Sequence, residues 1–250
     1  MADNMKLDPV RMEKVYKYVE EHLGYNKEQW DLYRNSQAEI ESMGGQYISD
    51  PDNVNYIKSY SVAGGFVNHY DGRYQLGADA KIDGVNKWNE LGGGKLKHVG
   101  HSINPDDQTR VNFRNDPTLQ EEILAGFTVA NHTYLLNSKT YQHQVGTNKK
   151  GGPIYSKKIE YTSAQEYAKS NPLKRMQYLA HAHNSGFGNL AHYLQTGDAF
   201  QDGFNTKSIK YMNNIKDNAT LQNTMFADTI EGEIDMRVQS AGDYYMKGVK

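Results

Sequence analysis

Apolar side chains recur every three or four residues through several stretches of the 250-residue chain, and between those stretches the period is lost. The spacing predicts a first helix over Pro9–Leu23, where Val10, Met12, Val15, Tyr16, Val19 and Leu23 fall near helical register. Asp8-Pro9 supplies a cap with proline in the first turn, and Gly24 ends it. A second helix is expected over Asn26–Met43, with Trp30, Tyr33, Gln37 and Ile40 along one stripe and Gly44-Gly45 as the stop. Gly72–Asn89 turns helical again through Leu76, Ala80, Val85 and Trp88. Pro117–Leu136 is the clearest segment: Leu119, Ile123, Phe127, Ala130 and Tyr134 sit at spacings of four, four, three and four. Ser163–Ala168 and Pro172–His183 follow, the latter carrying Leu173, Met176, Leu179 and Ala180. Gly186 and Gly188 should break that helix, with another turn or two over Asn189–Leu194 and a short helix over Lys207–Asp217.

The remaining segments show no sustained period. Ser49–Asp71 is polar and tyrosine-rich and reads as loop with at most a short strand. Gly92–Asn115 reads as a long loop or insertion, and Tyr141–Tyr161, marked by KKGGP, as a second irregular segment. From Ala219 the apolar spacing is mixed, suiting either a helix or a partner-binding tail. No internal repeat or low-complexity tract is visible. The expected class is mainly α with long loops and room for a small β-hairpin. Loops of that length are more often functional than not.

Composition narrows the function classes. There are no cysteines, which excludes disulfides, thiolate zinc sites and a cysteine nucleophile. A formal net charge of -2 does not suggest electrostatic binding of nucleic acid or of anionic membranes. No stretch approaches the roughly 18 consecutive apolar residues of a membrane span. The N-terminal residues are charged throughout and lack the apolar segment of a secretory signal, so export by the usual route is not expected. The nineteen tyrosines suit wet clefts, because each joins a flat apolar face to a polar tip, but most are expected to fill the core.

Four stretches carry candidate chemistry. In AEIESMGGQY, Ala38–Tyr47, Glu39 and Glu41 lie about 200° apart on a helix, so only one can face a given cleft. Glu41 is nearer the helix end, where the negative end of the helix dipole should raise its pKa towards that of a general acid. A solvated glutamate at a frayed end is the bland alternative. In HYDGRYQLG, His69–Gly77, Gln75 offers both donor and acceptor, as an N-acetyl group does. In AHAHNSGFGNLAHYL, Ala180–Leu194, His181 and His183 are two apart and cannot share a helix face, so a metal pair is not expected. Asn184 with Gly186 and Gly188 instead suggests a tight turn lining a cleft. Tyr211, in TKSIKYMNNI, says nothing alone.

Taken in order, these stretches resemble the signature of the soluble lytic transglycosylase and goose-type lysozyme superfamily. The matching residues are Glu41-Ser42, Gly72-Arg73-Tyr74-Gln75, Ala182-His183-Asn184-Ser185-Gly186-Phe187-Gly188, and Tyr211. NDPTLQEEILAGFTVANHTYLL, between the second and third, resembles a long apolar helix of the same superfamily. The likeness runs over residues 28–216, is nearest to phage-encoded members, and implies a lysozyme-like helical domain there. Residues 1–27 would then be an N-terminal helical extension, and 217–250 a tail able to dock to a larger particle.

What the resemblance implies is cleavage of peptidoglycan between N-acetylmuramic acid and N-acetylglucosamine, without cofactor or metal. Glu41 would protonate the glycosidic oxygen, and Ser42 would position it. Tyr74, Gln75, His183 and Asn184 would bind sugar, with His183 standing where the family usually has tyrosine. Tyr211 would support Glu41. Asp50 or Asp52 are candidates for the second carboxylate that hydrolysis with inversion requires. Expected partners are glycan strands and other virion proteins, with no nucleic acid and no membrane. The expected setting is a phage virion, a tail or internal core, made in the host cytoplasm and acting on the periplasmic wall. Two alternatives remain: a glycan-binding or structural virion protein without activity, and a hydrolytic endolysin.

Overall fold

A computed structural model describes residues 6–42, 70–97, 99, 104, 107–149, 152–202 and 206–221, with the backbone alone at Ser42. Residues 49–69 of the loop expected over Ser49–Asp71, including Asp50 and Asp52, the Ser42 side chain and the tail beyond 221 lie outside the described residues. Among those described, eight helices and four short strands make a mainly α fold.

Helix α1 spans Pro9–Leu23 and α2 spans Lys27–Ser42. Asp8 caps α1 by accepting from the amides of Val10 and Arg11, and Gly24 closes it at φ 72°. α1 buries Met12, Val15, Tyr18, Val19 and Leu23, while Val10 points outward. These residues belong to the same hydrophobic core as the rest of the molecule.

Helix α3 runs over Ala78–Glu90, α4 over Gln108–Arg114 and α5 over Pro117–Asn137. α5 is the central rod, buried almost all round from Pro117 to Asn131. Its two buried acids are matched from outside: Glu121 takes Arg34 at 3.0 Å and Glu122 takes Arg11 at 2.6 Å. α3 and α5 meet backbone to backbone at Gly84 and Gly126. A Cβ at Gly126 would collide with the Gly84 carbonyl, so the two helices approach more closely than side chains would permit.

Two sequence expectations need correction here. α3 begins at Ala78, not Gly72, because residues 71–76 fold into a turn closed by the Asp71–Leu76 bridge. The expected loop 92–115 contains α4, whose start is capped by Asp107 and which buries Arg110 and Phe113. With seven residues, α4 is too short to show a period.

Strands β1 (Thr140–Tyr141), β2 (Gln144–Thr147), β3 (Pro153–Tyr155) and β4 (Ile159–Glu160) nest as two antiparallel pairs, β2 with β3 inside β1 with β4. The segment expected to be irregular is thus a small β arm. It leaves Val145, Ile154 and Tyr155 exposed, which is why no core-facing alternation marks it in the sequence. The arm leans on the next long helix: the Gln144 amide donates to Asn189 at 2.9 Å, and Gly188 lies against the Gln142 carbonyl.

After α6 (Ala164–Lys169), α7 runs from Pro172 to Thr196 with one non-helical residue, Gly186, at φ 77° and ψ 165°. The expected break thus falls at Gly186, where two helical stretches meet across a kink. Helix α8, Ile209–Leu221, is longer than expected and packs on α2 and α7.

Candidate active site

The turn at 71–76 is fixed from its inner side. Asp71 accepts from Lys81 at 2.7 Å, from Arg110 at 2.9 Å and from Arg114 at 2.9 Å. The Arg73 amide donates to Gln120 at 2.8 Å, and the Gln120 amide group donates in turn to the Phe113 carbonyl at 3.0 Å. Tyr74 is fully buried, with its hydroxyl on Glu121. The expectation that the Tyr74 ring meets sugar is therefore corrected: the side chain anchors the turn on α5, and only its carbonyl reaches the site. Gln75 is held at φ 45°, a strained value for a side-chain-bearing residue, with its amide donating to the Gly72 carbonyl at 2.7 Å.

This turn forms one wall of a cleft of about 630 Å³. Gln75 lines it together with Asp79 and Asp83 of α3, Asn131 and Tyr134 of α5, and His183 and Asn184 of α7. His183 and Asn184 sit one turn before the Gly186 kink and join the cleft to the end of α2.

Glu41 stands there, its side chain 17% exposed. The Tyr211 hydroxyl donates to Glu41 Oε1 at 2.7 Å, and His183 Nε2 lies 3.5 Å from the same oxygen. The Asn184 amide faces both the Tyr211 hydroxyl and Asp202, each at 3.4 Å. Glu41 has no cation within hydrogen-bonding reach among the described residues. Burial pushes its pKa up to about 8; the Tyr211 hydrogen bond pulls down, the nearby charge of Asp202 adds to the rise, and Lys210 offsets part of it. The group is thus a protonated acid at neutral pH. Because Oε1 already accepts from the Tyr211 hydroxyl, the acid proton belongs on Oε2.

The second glutamate goes elsewhere. Glu39 accepts from Asn214 at 2.9 Å and from Asn218 at 2.6 Å, fastening α2 to α8. His181 is equally structural: it is fully buried, bonded to Ser208 at 2.7 Å and to Ser185 at 2.8 Å, and faces away from His183. Among the described residues no group of three or more acidic or histidine side chains could hold a metal ion. No helix among them is long and apolar enough to cross a membrane.

No protein-family model matches the chain, nor does any curated protein or solved structure. The functional reading therefore rests on the site itself. That site gathers Glu41, His183, Asn184 and Tyr211, with Gln75 on the adjoining cleft wall. Sequence reasoning missed Asp79, Asp83, Asn131 and Tyr134 as cleft residues, and Asp202 as the charge behind Asn184. The spacing of Asp79 and Asp83, four apart on one helix face, is the one signal that could have found them.

Proposed function

We propose that the protein is a peptidoglycan lytic transglycosylase of lysozyme-like type, acting on the bond between N-acetylmuramic acid and N-acetylglucosamine. The observation that carries this reading is a glutamate largely withdrawn from water beside a cleft, with the Tyr211 hydroxyl on one carboxyl oxygen, neutral His183 next to it and no cation within hydrogen-bonding reach among the described residues. Glu41 gives that proton to the glycosidic oxygen as the bond to C1 breaks. The C6 hydroxyl of the muramic acid then closes on C1, and its proton returns to Glu41. Tyr211 and His183 receive the transient carboxylate, while Gln75 and Asn184 bind N-acetyl and hydroxyl groups in this reading.

The test compares wild type with Glu41→Gln on purified peptidoglycan. Clearing by wild type, at least about a hundredfold weaker in the variant, is expected for loss of a general acid. Clearing by neither protein, with glycan binding retained, would make this a binding module. Product analysis should find 1,6-anhydromuramic ends.

Hydrolysis is the second reading, favoured by the two carboxylates Asp79 and Asp83 on the cleft wall. Inversion needs a second carboxylate across the bond, roughly 6.5–9.5 Å from the first, with water between them. Reducing muramic ends, lost in Asp79→Asn or Asp83→Asn, would establish it. We place the enzyme in a phage virion, as a tail or core component that opens the wall locally. Mass spectrometry of purified particles should find it there, and detection in lysates alone would refute that setting.

A further inference from the structure

We infer that His183 is a positioning residue for Glu41: a donor held neutral, whose Nε2–H turns from the Tyr74 carbonyl to Glu41 Oε1 as the carboxylate forms. The inference rests on Glu41 being the acid of the proposed reaction.

The tautomer follows from geometry. His183 Nε2 lies 3.0 Å from the Tyr74 carbonyl oxygen, which can only accept, so the proton is on Nε2. Nδ1 then carries a lone pair. It is enclosed and meets no donor among the described residues. A second proton placed there would be a buried charge without an acceptor, and the side chain is only 2% exposed. Burial accordingly pulls the His183 pKa down to about 4, with the Tyr74 carbonyl opposing. The imidazole thus stays neutral across the range in which Glu41 titrates.

The same Nε2 sits 3.5 Å from Glu41 Oε1. That is too long for a formed hydrogen bond, yet a small ring rotation would complete one. With Glu41 protonated the carbonyl is the better acceptor; with Glu41 ionised the carboxylate is. His183 therefore stabilises only the charged form, which is the state Glu41 reaches when it has given up its proton. Tyr211 packs beside it with ring centres 6.4 Å apart, and the Phe127 ring meets it edge-on. The charged or titratable groups around the pair are Tyr211, Asp202 and Lys210, with Tyr70 also feeling the Glu41 charge.

The experiment uses His183→Phe, which removes the donor, and His183→Gln, whose amide keeps one. Glu41 is titrated in each by ¹³C NMR of its carboxyl group, and cleavage of purified peptidoglycan is followed against pH. Loss of a donor that favours the carboxylate must raise the Glu41 pKa. In His183→Phe the titration midpoint and the alkaline limb should move up together by about one pH unit, with the optimum rate falling roughly tenfold. His183→Gln should recover most of both. A merely structural role would lower the rate without moving either. The NMR titration reports even if wild type cleaves nothing, so failure of the proposed reaction and failure of this inference are separable. An unmoved midpoint in His183→Phe overturns the inference. So does a wild-type ¹⁵N spectrum at pH 7 showing His183 protonated on Nδ1.

Discussion

Asp71 and Glu41 are two enclosed carboxylates that the fold treats in opposite ways. Burial alone would raise the pKa of both. At Asp71, charged hydrogen bonds from Arg110, Lys81 and Arg114 reverse that effect and hold the group below the usual carboxylate range. At Glu41, the donors within reach are a phenol and a neutral imidazole, and burial wins. The charge state of a buried acid is thus set less by how many donors it meets than by whether those donors carry charge. Asp71 is an ionic pin for the turn that builds one cleft wall. Glu41 is a stored proton at the other end of the same site.

The largest break in that contrast is Asp71→Asn. The amide removes the negative charge shared by Lys81, Arg110 and Arg114, all three of which are largely buried. Removing one partner from such a cluster costs about 3–5 kcal/mol, which corresponds to a fall of roughly 6–20 °C in melting temperature. Calorimetry should show this loss, and cleavage should fall with it because the turn bearing Gln75 loses its anchor. A melting temperature unchanged within a degree would mean that the ion cluster contributes nothing to the fold.

Glu41→Gln should act in the opposite direction on stability. The folded-state pKa of about 8 lies above the ordinary 4.5, so between those values the native state binds more protons than the unfolded one. Native stability therefore declines as pH rises through this window, and the amide removes that decline. The variant should match wild type near pH 4 and exceed it at pH 8.5 by on the order of 1–3 kcal/mol. Urea unfolding at the two pH values measures the difference. A stability gap of the same size at both would show that Glu41 is not protonated in the folded protein at neutral pH.

Much of the fold was legible because long helices write their period plainly. α1, α2 and α5 lie within one or two residues of their predicted bounds. What escaped was short or tertiary. α4 is two turns long, and the β arm exposes its large apolar residues, so neither carries the signal that burial would imprint. The Asp71–Leu76 turn reads as helical because Leu76 falls in register with Ala80, Val85 and Trp88, but the segment closes on itself through the Asp71–Leu76 bridge, and Tyr74 is held by Glu121 of α5. In the site, the opposed directions of Glu39 and Glu41 and of His181 and His183 followed from helix geometry alone. Tyr74 was misassigned because a sequence does not say whether a tyrosine hydroxyl finds water or a buried glutamate. Asp79, Asp83 and Asp202 went unnoticed because their role comes from where α3 and the loop before α8 sit around the cleft.

Glu39→Gln is the smallest and most local test, because it changes the neighbouring carboxylate on the same helix. Glu39 is the acceptor for Asn214 and Asn218, which also bond to Ser36. A glutamine retains one carbonyl acceptor for these amides and gives up only the charge, so the loss of stability should be about 1 kcal/mol or less. Cleavage should stay within about twofold of wild type, since nothing at Glu39 bears on the proton of Glu41. Side-by-side zymography of the two variants then reads the geometry of α2 directly. If Glu39→Gln abolished clearing while Glu41→Gln preserved it, the acid would sit on the α8 face of the helix, and the cleft bounded by Gln75, His183 and Asn184 would not be where the bond breaks.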